Sequence, residues 1–415
     1  MLPLLTSFYP PLTSRTPLPF YHAPATLILS ILPFLSSNKT LTATLTFPLL
    51  LYLCLSWPCY TTGDPSNDYY NGSQFIAVPL WYLDFVFLTP RDGEGAPAFV
   101  GERALHKQGG EKRGVPAKYW RDFTTSWERF TWAFRLMLPA QRGIGWNWQV
   151  KGIPHDSEGR LSRWEFVGRK TFWAVFFYLQ SVVPLTVLGF GVAFREHFRP
   201  EQRVDSAVAG AIVGWAGAIW VWDRLNCAYS LAAAFSVAVG MTETWEWPPL
   251  MGPLKDAWSV RQMWSATYQQ ACRRLLSRPS LLLTRLLHIP KGSPLSSPTQ
   301  LFLTFSISYL FHLAQIFNVT RRDMGEFAFF MSQPCAICVE DVVIWAWRRM
   351  GLVGRDRGWE RVVGYVWVVA WFSYSLRMYV GGLVEAEVVK DWVWAYGPLG
   401  VGAGFGREVL GWLLA

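Results

Sequence analysis

The chain has 415 residues, 51% of them hydrophobic and only 16% charged, with 24 Trp, 28 Phe and a formal net charge of +9. So few charges cannot coat a soluble body of this length, and the apolar residues come in long blocks with no domain-sized soluble stretch between them, which excludes a multi-domain soluble protein. The basic excess flanks the apolar runs instead of forming a solvated stripe, so it speaks for lipid headgroups and membrane orientation and against nucleic acid.

Residues 1–24 form an apolar stretch studded with Pro that lacks a basic start and a clean apolar core, so it is not read as a cleaved signal and is expected to be poorly ordered. Residues 25–89 hold the N-terminal membrane spans: a short run at Ala25–Leu35 containing Pro33, then Leu41–Trp57 and Ser73–Thr89. Residues 90–170 are a polar connection in which Lys and Arg outnumber Asp and Glu. From 171 to 415 the apolar runs are Thr171–Phe194, Ala207–Trp222, Leu225–Met241, Thr299–Phe317, Phe327–Trp347, Val362–Gly382 and the Gly-rich Trp392–Leu414. A spanning helix needs roughly 20 apolar residues, so the pattern predicts an all-α, multi-pass membrane helical bundle of about eight to ten spans. Asp223–Arg224 is expected to mark a turn between two of them.

A second basic connection, Thr242–Pro298, should share the cytosolic side with the first, yet three candidate spans separate them. One span is then re-entrant, or one loop is an exception. Within this connection Val260, Met263, Trp264, Thr267, Ala271 and Leu275 recur at steps of three or four, predicting an amphipathic helix over Trp258–Leu276 that lies in the membrane interface and is ended by Pro279.

Polar groups inside apolar runs are costly and therefore informative. In Leu301–Phe317 the residues Thr304, Ser308, His312 and Gln315 fall on one helical face. Histidine is the natural general base near neutral pH, so His312 is either that base or a histidine hydrogen-bonded between helices. The other five histidines have no partner at metal-ligand spacing. Gln333, Glu340 and Asp341 form a second cluster, with Arg377 a candidate partner; it reads as a polar clamp or a functional group.

The six cysteines form no disulfide framework. Cys335–x–x–Cys338 lies in an apolar run with no second pair or histidine to complete four ligands, so no metal is expected. Gly400, Gly402, Gly404 and Gly406 do not fit a nucleotide-binding fingerprint and instead permit close helix approach. No G-x-S-x-G elbow, P-loop or H-E-x-x-H occurs.

Several stretches together resemble one family: Arg142–Pro154 (RGIGWNWQVKGIP), Glu246–Gly252 (EWPPLMG), Trp258–Arg274 (WSVRQMWSATYQQACRR), Phe305–Leu313 (FSISYLFHL), Phe329–Val342 (FFMSQPCAICVEDV) and Gly364–Trp371 (GYVWVVAW). In order and spacing they are similar to the fungal wax-synthase-like branch of the membrane-bound O-acyltransferases, with most of the motifs inside 246–380. The resemblance implies a membrane-bound O-acyltransferase fold with re-entrant or interfacial helices. It implies transfer of an acyl group, acetyl being the expected one, from acyl-CoA to a hydroxyl of a lipophilic alcohol such as a terpenoid or another secondary metabolite. It also implies no bound cofactor, acyl-CoA as co-substrate, membrane lipids as surroundings and residence in the endoplasmic reticulum.

The family's S-G-x-x-H-like context reads here Ser308–Tyr309–Leu310–Phe311–His312, which implies that His312 is the base. Members typically read W-H-Q where this chain reads Tyr268–Gln269–Gln270, so an amide, Gln269, stands in place of the family's second catalytic histidine. An amide can orient a substrate or stabilise an oxyanion but cannot be a base at neutral pH. Arg142, Lys151 and Arg261 are candidates to meet the coenzyme phosphates, and Ser308, Trp264, Gln333 and Glu340 are further candidates for the substrate site. The alternative is a weakened or inactive homologue acting as a scaffold or lipid-binding protein. A transporter is disfavoured by the lack of an internal repeat.

Overall fold

Apolar blocks of this length satisfy their backbone polar groups only as helices when water is excluded, and the computed structural model of the chain is built from them. It describes residues 2–104, 118–137, 142–154, 156–197, 203–268, 270–290, 292–351, 358–391 and 393–414. In chain order the helices are α1 (Leu2–Phe8), α2 (His22–Leu35), α3 (Lys39–Ser56), α4 (Pro65–Gly72), α5 (Gln74–Tyr82, continued by a π turn over Leu83–Leu88), α6 (Ser126–Met137), α7 (Arg163–His197) and α8 (Arg203–Ala238). They continue with α9 (Val260–Gln262, followed by a π turn over Met263–Tyr268), α10 (Arg273–Leu286), α11 (Ser296–Thr320), α12 (Glu326–Arg349), α13 (Gly358–Glu385) and α14 (Gly397–Leu414). Among the described residues the sheet content is a two-residue parallel pairing of β1 (Thr16–Pro17) with β2 (Tyr60–Thr61).

Among the described residues four helices are long and apolar enough to cross a membrane, over Lys39–Cys59, Arg163–Phe194, Ser296–Thr320 and Glu326–Arg349. The chain is an integral membrane protein. It divides into two compact units, Met1–Ile153 with Gln269–Arg322, and Pro154–Tyr268 with Asp323–Ala415. The segment 269–322 thus groups with the N-terminal spans, whereas the sequence placed it in the 171–415 core.

In the first unit α2 packs on α3 and α6, and α11 packs on α4, α5 and α10. Residues 2–24, expected to be poorly ordered, carry regular structure. The reason is pairing, not periodicity: β1 docks on β2, and Arg15 pairs with Asp68 at 3.0 Å while donating to the carbonyls of Tyr60 (3.2 Å) and Asn318 (3.0 Å).

In the second unit α7 lies along α8 and α14, and α13 packs on α8 and α12. The turn expected at Asp223–Arg224 does not form, and α8 runs unbroken for 36 residues. Each charge takes a partner from the side instead: Gln180 donates to Asp223 at 3.0 Å, and Arg224 is ion-paired with Asp391, which also accepts from Tyr178 at 3.0 Å. Small residues set the seams. A Cβ on Gly217 would lie 2.3 Å from Val380 Cγ1, and one on Gly214 would lie 2.9 Å from Leu376 Cβ. Of Gly400, Gly402, Gly404 and Gly406 in α14, Gly402 and Gly406 face α7, whereas Gly400 and Gly404 have nothing within 4 Å of an added Cβ.

The helix expected over Trp258–Leu276 is not continuous, because Gly252 N–H donates to the Thr267 carbonyl at 2.9 Å, an acceptor that a continued helix would need for residue 271. Nor does Pro279 end a helix. It lies inside α10, flanked by Ser277 and Ser280, whose hydroxyls donate back to the carbonyls of Arg273 (2.6 Å) and Ser277 (2.8 Å).

The seam between α14 and α7 gives a direct test. A Cβ on Gly402 would sit 1.8 Å from the Thr186 carbonyl oxygen, so Gly402→Leu overpacks the seam and should cost about 1–3 kcal/mol. Gly404→Leu should leave stability unchanged. Thermal unfolding of both variants in one detergent checks the contrast.

Candidate active site

Two groups of candidate residues assemble, one in each unit. In the first, α11 carries the polar face read from the sequence. Ser308 and Gln315 are buried, and His312 is partly buried. The Thr304 hydroxyl donates to the Gln300 carbonyl at 2.7 Å and lies 3.0 Å from the Ser280 hydroxyl on α10. His312 Nδ1 lies 3.4 Å from the hydroxyl of Tyr69 on α4, the donor being set by the imidazole tautomer. The Gln315 side chain lies one turn along α11 on the same face, and the edge of the His312 ring meets Phe311. The face therefore turns inward, as the cost of polar groups on an apolar helix requires.

The start of α10 docks on the RGIGWNWQVKGIP segment. Gln270 donates to the Gly152 carbonyl at 2.6 Å, and Arg273 donates to the Lys151 carbonyl at 3.0 Å. Arg274 stacks over Phe85 and Trp148, 4.2 and 4.5 Å from their ring centroids, and pairs with Asp84 at 2.7 Å. Burial pulls its guanidinium below the ordinary range, and Asp84 offsets part of that. Arg142 is buried and its carbonyl accepts from Val150 N–H at 3.0 Å, whereas Lys151 is exposed. Burial pushes the Cys272 thiol up to about 11, so it stays protonated at neutral pH and is no thiolate nucleophile. Gln269 lies outside the described residues, as do His106 and His155.

In the second unit four of the motif segments close on one another around Trp258–Tyr268. Gly252 sits against the Ala266 carbonyl and Gly364 against the Trp258 carbonyl, each with space only for a hydrogen, since an added Cβ would lie 2.1 Å from the oxygen. Ser259 caps α9 by accepting from Gln262 N–H at 3.1 Å. Glu340 accepts from Val260 N–H at 2.7 Å and from the Trp367 indole at 3.2 Å. The Gln333 carbonyl accepts two indole N–H groups, from Trp264 at 3.2 Å and Trp371 at 3.0 Å. Gln333 and Glu340 thus act as a clamp on the run that leads to Gln269. Arg261 is ion-paired with Asp341, the role the sequence had offered to Arg377; Arg377 instead lies over the Tyr374 ring.

Sequence reasoning missed Tyr69, Asp84 and Asp391. Asp84 was within reach, being a carboxylate inside the apolar run Ser73–Thr89. Tyr69 carries no such signal, because α4 is short and polar, with no apolar period to single it out.

The family model described as membrane bound O-acyl transferase family matches residues 247–332, which begins at the EWPPLMG segment and ends beyond His312. The chain is 27% identical to acetyltransferase ple2 of Rhodocybe pseudopiperita over 79% of its own length and 81% of that protein's. It is 24% identical to acetyltransferase sirH of Leptosphaeria maculans over 92% and 94%. The chain is an O-acyltransferase, and residues 247–332 are its membrane bound O-acyl transferase segment. Similarity extends to O-Mevalon transferase macI of Penicillium terrestre, 28% identical over 60% of this chain and 61% of that one. No solved structure matches the chain. The acyltransferase motifs of the second unit are therefore the ones whose packing Gln333 and Glu340 hold together.

Gln333→Leu in this acyltransferase removes one acceptor and leaves two half-buried indole donors unpaired, at a cost of roughly 1 kcal/mol for each. The expected result is a lowered thermal midpoint together with a blue shift of tryptophan fluorescence from lost indole hydrogen bonds. An unchanged midpoint would show that the clamp contributes nothing.

Proposed function

We propose that this acyltransferase moves an acetyl group from acetyl-CoA to the hydroxyl of a lipophilic alcohol such as a terpenoid or another secondary metabolite, with His312 as general base. The observation that carries the reading is His312 itself. It stands in the family's histidine context, on an inward polar face of an apolar helix, with the Tyr69 hydroxyl beside its ring. The names of the relatives, both acetyltransferases, support acetyl as the group transferred. The same relationship supports residence in the endoplasmic reticulum membrane, among lipids that would bring a lipophilic alcohol to the protein.

The chemistry follows from the residue. The alcohol gives its proton to the neutral imidazole as its oxygen bonds to the thioester carbonyl carbon. The tetrahedral oxyanion collapses, the carbon–sulfur bond breaks, and the proton passes from the imidazolium to the departing coenzyme sulfur. Gln269, as an amide, would serve as a hydrogen-bond donor to the developing oxyanion. Arg142, Lys151 and Arg261 remain the proposed contacts for the coenzyme phosphates; Arg261 would have to share its charge with Asp341. An apolar surround excludes water and limits hydrolysis of the thioester.

The test is transfer of labelled acetyl from acetyl-CoA to a panel of terpenoid alcohols by purified full-length protein in nanodiscs. His312→Ala should lower kcat about 10²–10⁴-fold with the fold retained. Undiminished transfer by that variant would sink the role given to His312.

A further inference from the structure

A neutral imidazole has one donor and one acceptor nitrogen, and a group able to accept a hydrogen bond beside one of them can hold the proton there. A histidine that accepts a proton from an alcohol must therefore have its existing proton held on the other nitrogen. In this chain the Tyr69 hydroxyl lies 3.4 Å from Nδ1, where its oxygen can accept that proton. We propose that Tyr69 is the positioning residue of His312: its oxygen accepts the Nδ1 proton, which leaves Nε2 as the atom that takes the proton of the alcohol. The inference rests on the reading of His312 as the base.

Three observations give Tyr69 that role. First, it is itself fixed, with only 5% of its surface exposed. Second, α4 is tied down at the residue beside it. The Asp68 carboxylate accepts from the Thr61 hydroxyl (2.6 Å) and from Thr62 N–H (2.7 Å), and it pairs with Arg15 at 3.0 Å. Third, α4 meets α11 at successive turns. Tyr69 reaches His312, Gly72 lies where an added Cβ would be 2.8 Å from Gln315 Cα, and the Asn318 amide donates to the Asp68 carbonyl at 2.6 Å. An eight-residue polar helix has little apolar area to hold it, so these ties fix its height on α11. They place the phenol level with the imidazole.

The energetic consequence is specific. When His312 takes the proton it becomes an imidazolium, and a hydrogen bond from a charged donor is about twice as strong as a neutral one. The Tyr69 contact therefore stabilises the transition state more than the ground state, and its loss should appear in kcat and not in KM.

Kinetics of full-length protein in nanodiscs with acetyl-CoA and an accepted alcohol test this. Tyr69→Phe should lower kcat about 10–100-fold, the range for loss of an orienting partner, with KM for both substrates and the thermal midpoint unchanged. Wild-type kcat in Tyr69→Phe, with His312→Ala inactive, overturns the positioning role and leaves the base assignment standing. Activity retained in His312→Ala overturns the base assignment itself. A Tyr69→Phe loss that appears in KM or in the melting midpoint makes Tyr69 a packing residue and overturns the proposal. A second measurement needs no Tyr69 variant: nitrogen-15 NMR of histidine-labelled wild type, with the His312 signals identified by their disappearance in His312→Gln. A protonated Nδ1 and bare Nε2 is the expected tautomer, and the reverse overturns the inference.

Discussion

A polar group withdrawn from water costs several kcal/mol unless another polar group meets it, and in an apolar helical protein that partner must come from the protein itself. Most of what is distinctive in this chain follows from that constraint. Asp84 is met by Arg274, Asp391 by Arg224 and Tyr178, Asp223 by Gln180, and Gln333 by two indoles. Each pairing joins elements far apart in sequence, so polar satisfaction fixes the register of helices whose apolar surfaces alone would let them slide. Close approach at Gly214, Gly217 and Gly402 completes that fixing, because backbone contact tolerates less displacement than contact between flexible side chains.

The acyltransferase motifs read differently once their packing is known. EWPPLMG supplies Gly252, GYVWVVAW supplies Gly364 and Trp367, and FFMSQPCAICVEDV supplies Gln333, Glu340 and Asp341. All of these close on Trp258–Tyr268. Much of the motif chemistry in the second unit is therefore support: it holds one short run in a non-standard helical form. A site needs such a shell, since displacement of a catalytic group by an ångström costs orders of magnitude in rate. Residues that look catalytic in sequence because they are polar and buried can belong to that shell, as Gln333 does.

The partner proposed for His312 also bears on the kind of catalysis. A phenol is a neutral acceptor, unlike the carboxylate that orients histidine in a serine hydrolase. It can set the tautomer without placing a second buried charge in the apolar unit, which would be expensive there. With an amide at Gln269 in place of a second histidine, the reading gives proton transfer to one residue and orientation to its neighbours.

The sequence alone determined the class of the protein and its first candidate. Apolar block length dictates helices, the motif order carries the resemblance to the membrane-bound O-acyltransferases, and the cost of His312 within Leu301–Phe317 singles it out, because each of these signals is local. What only the tertiary structure decided is pairing. The run at Trp258–Leu276 has the period of a single helix, yet Gly252 takes the carbonyl that would continue it. Asp223–Arg224 looks like a turn until Gln180 and Asp391 supply partners. Arg261, not Arg377, meets Asp341, and Tyr69 meets His312 across 243 residues of chain. Periodicity reports which face of a helix is apolar; it carries no information about which distant polar group will be brought against that face, and here that choice decides where helices end and which hydroxyl stands beside the histidine.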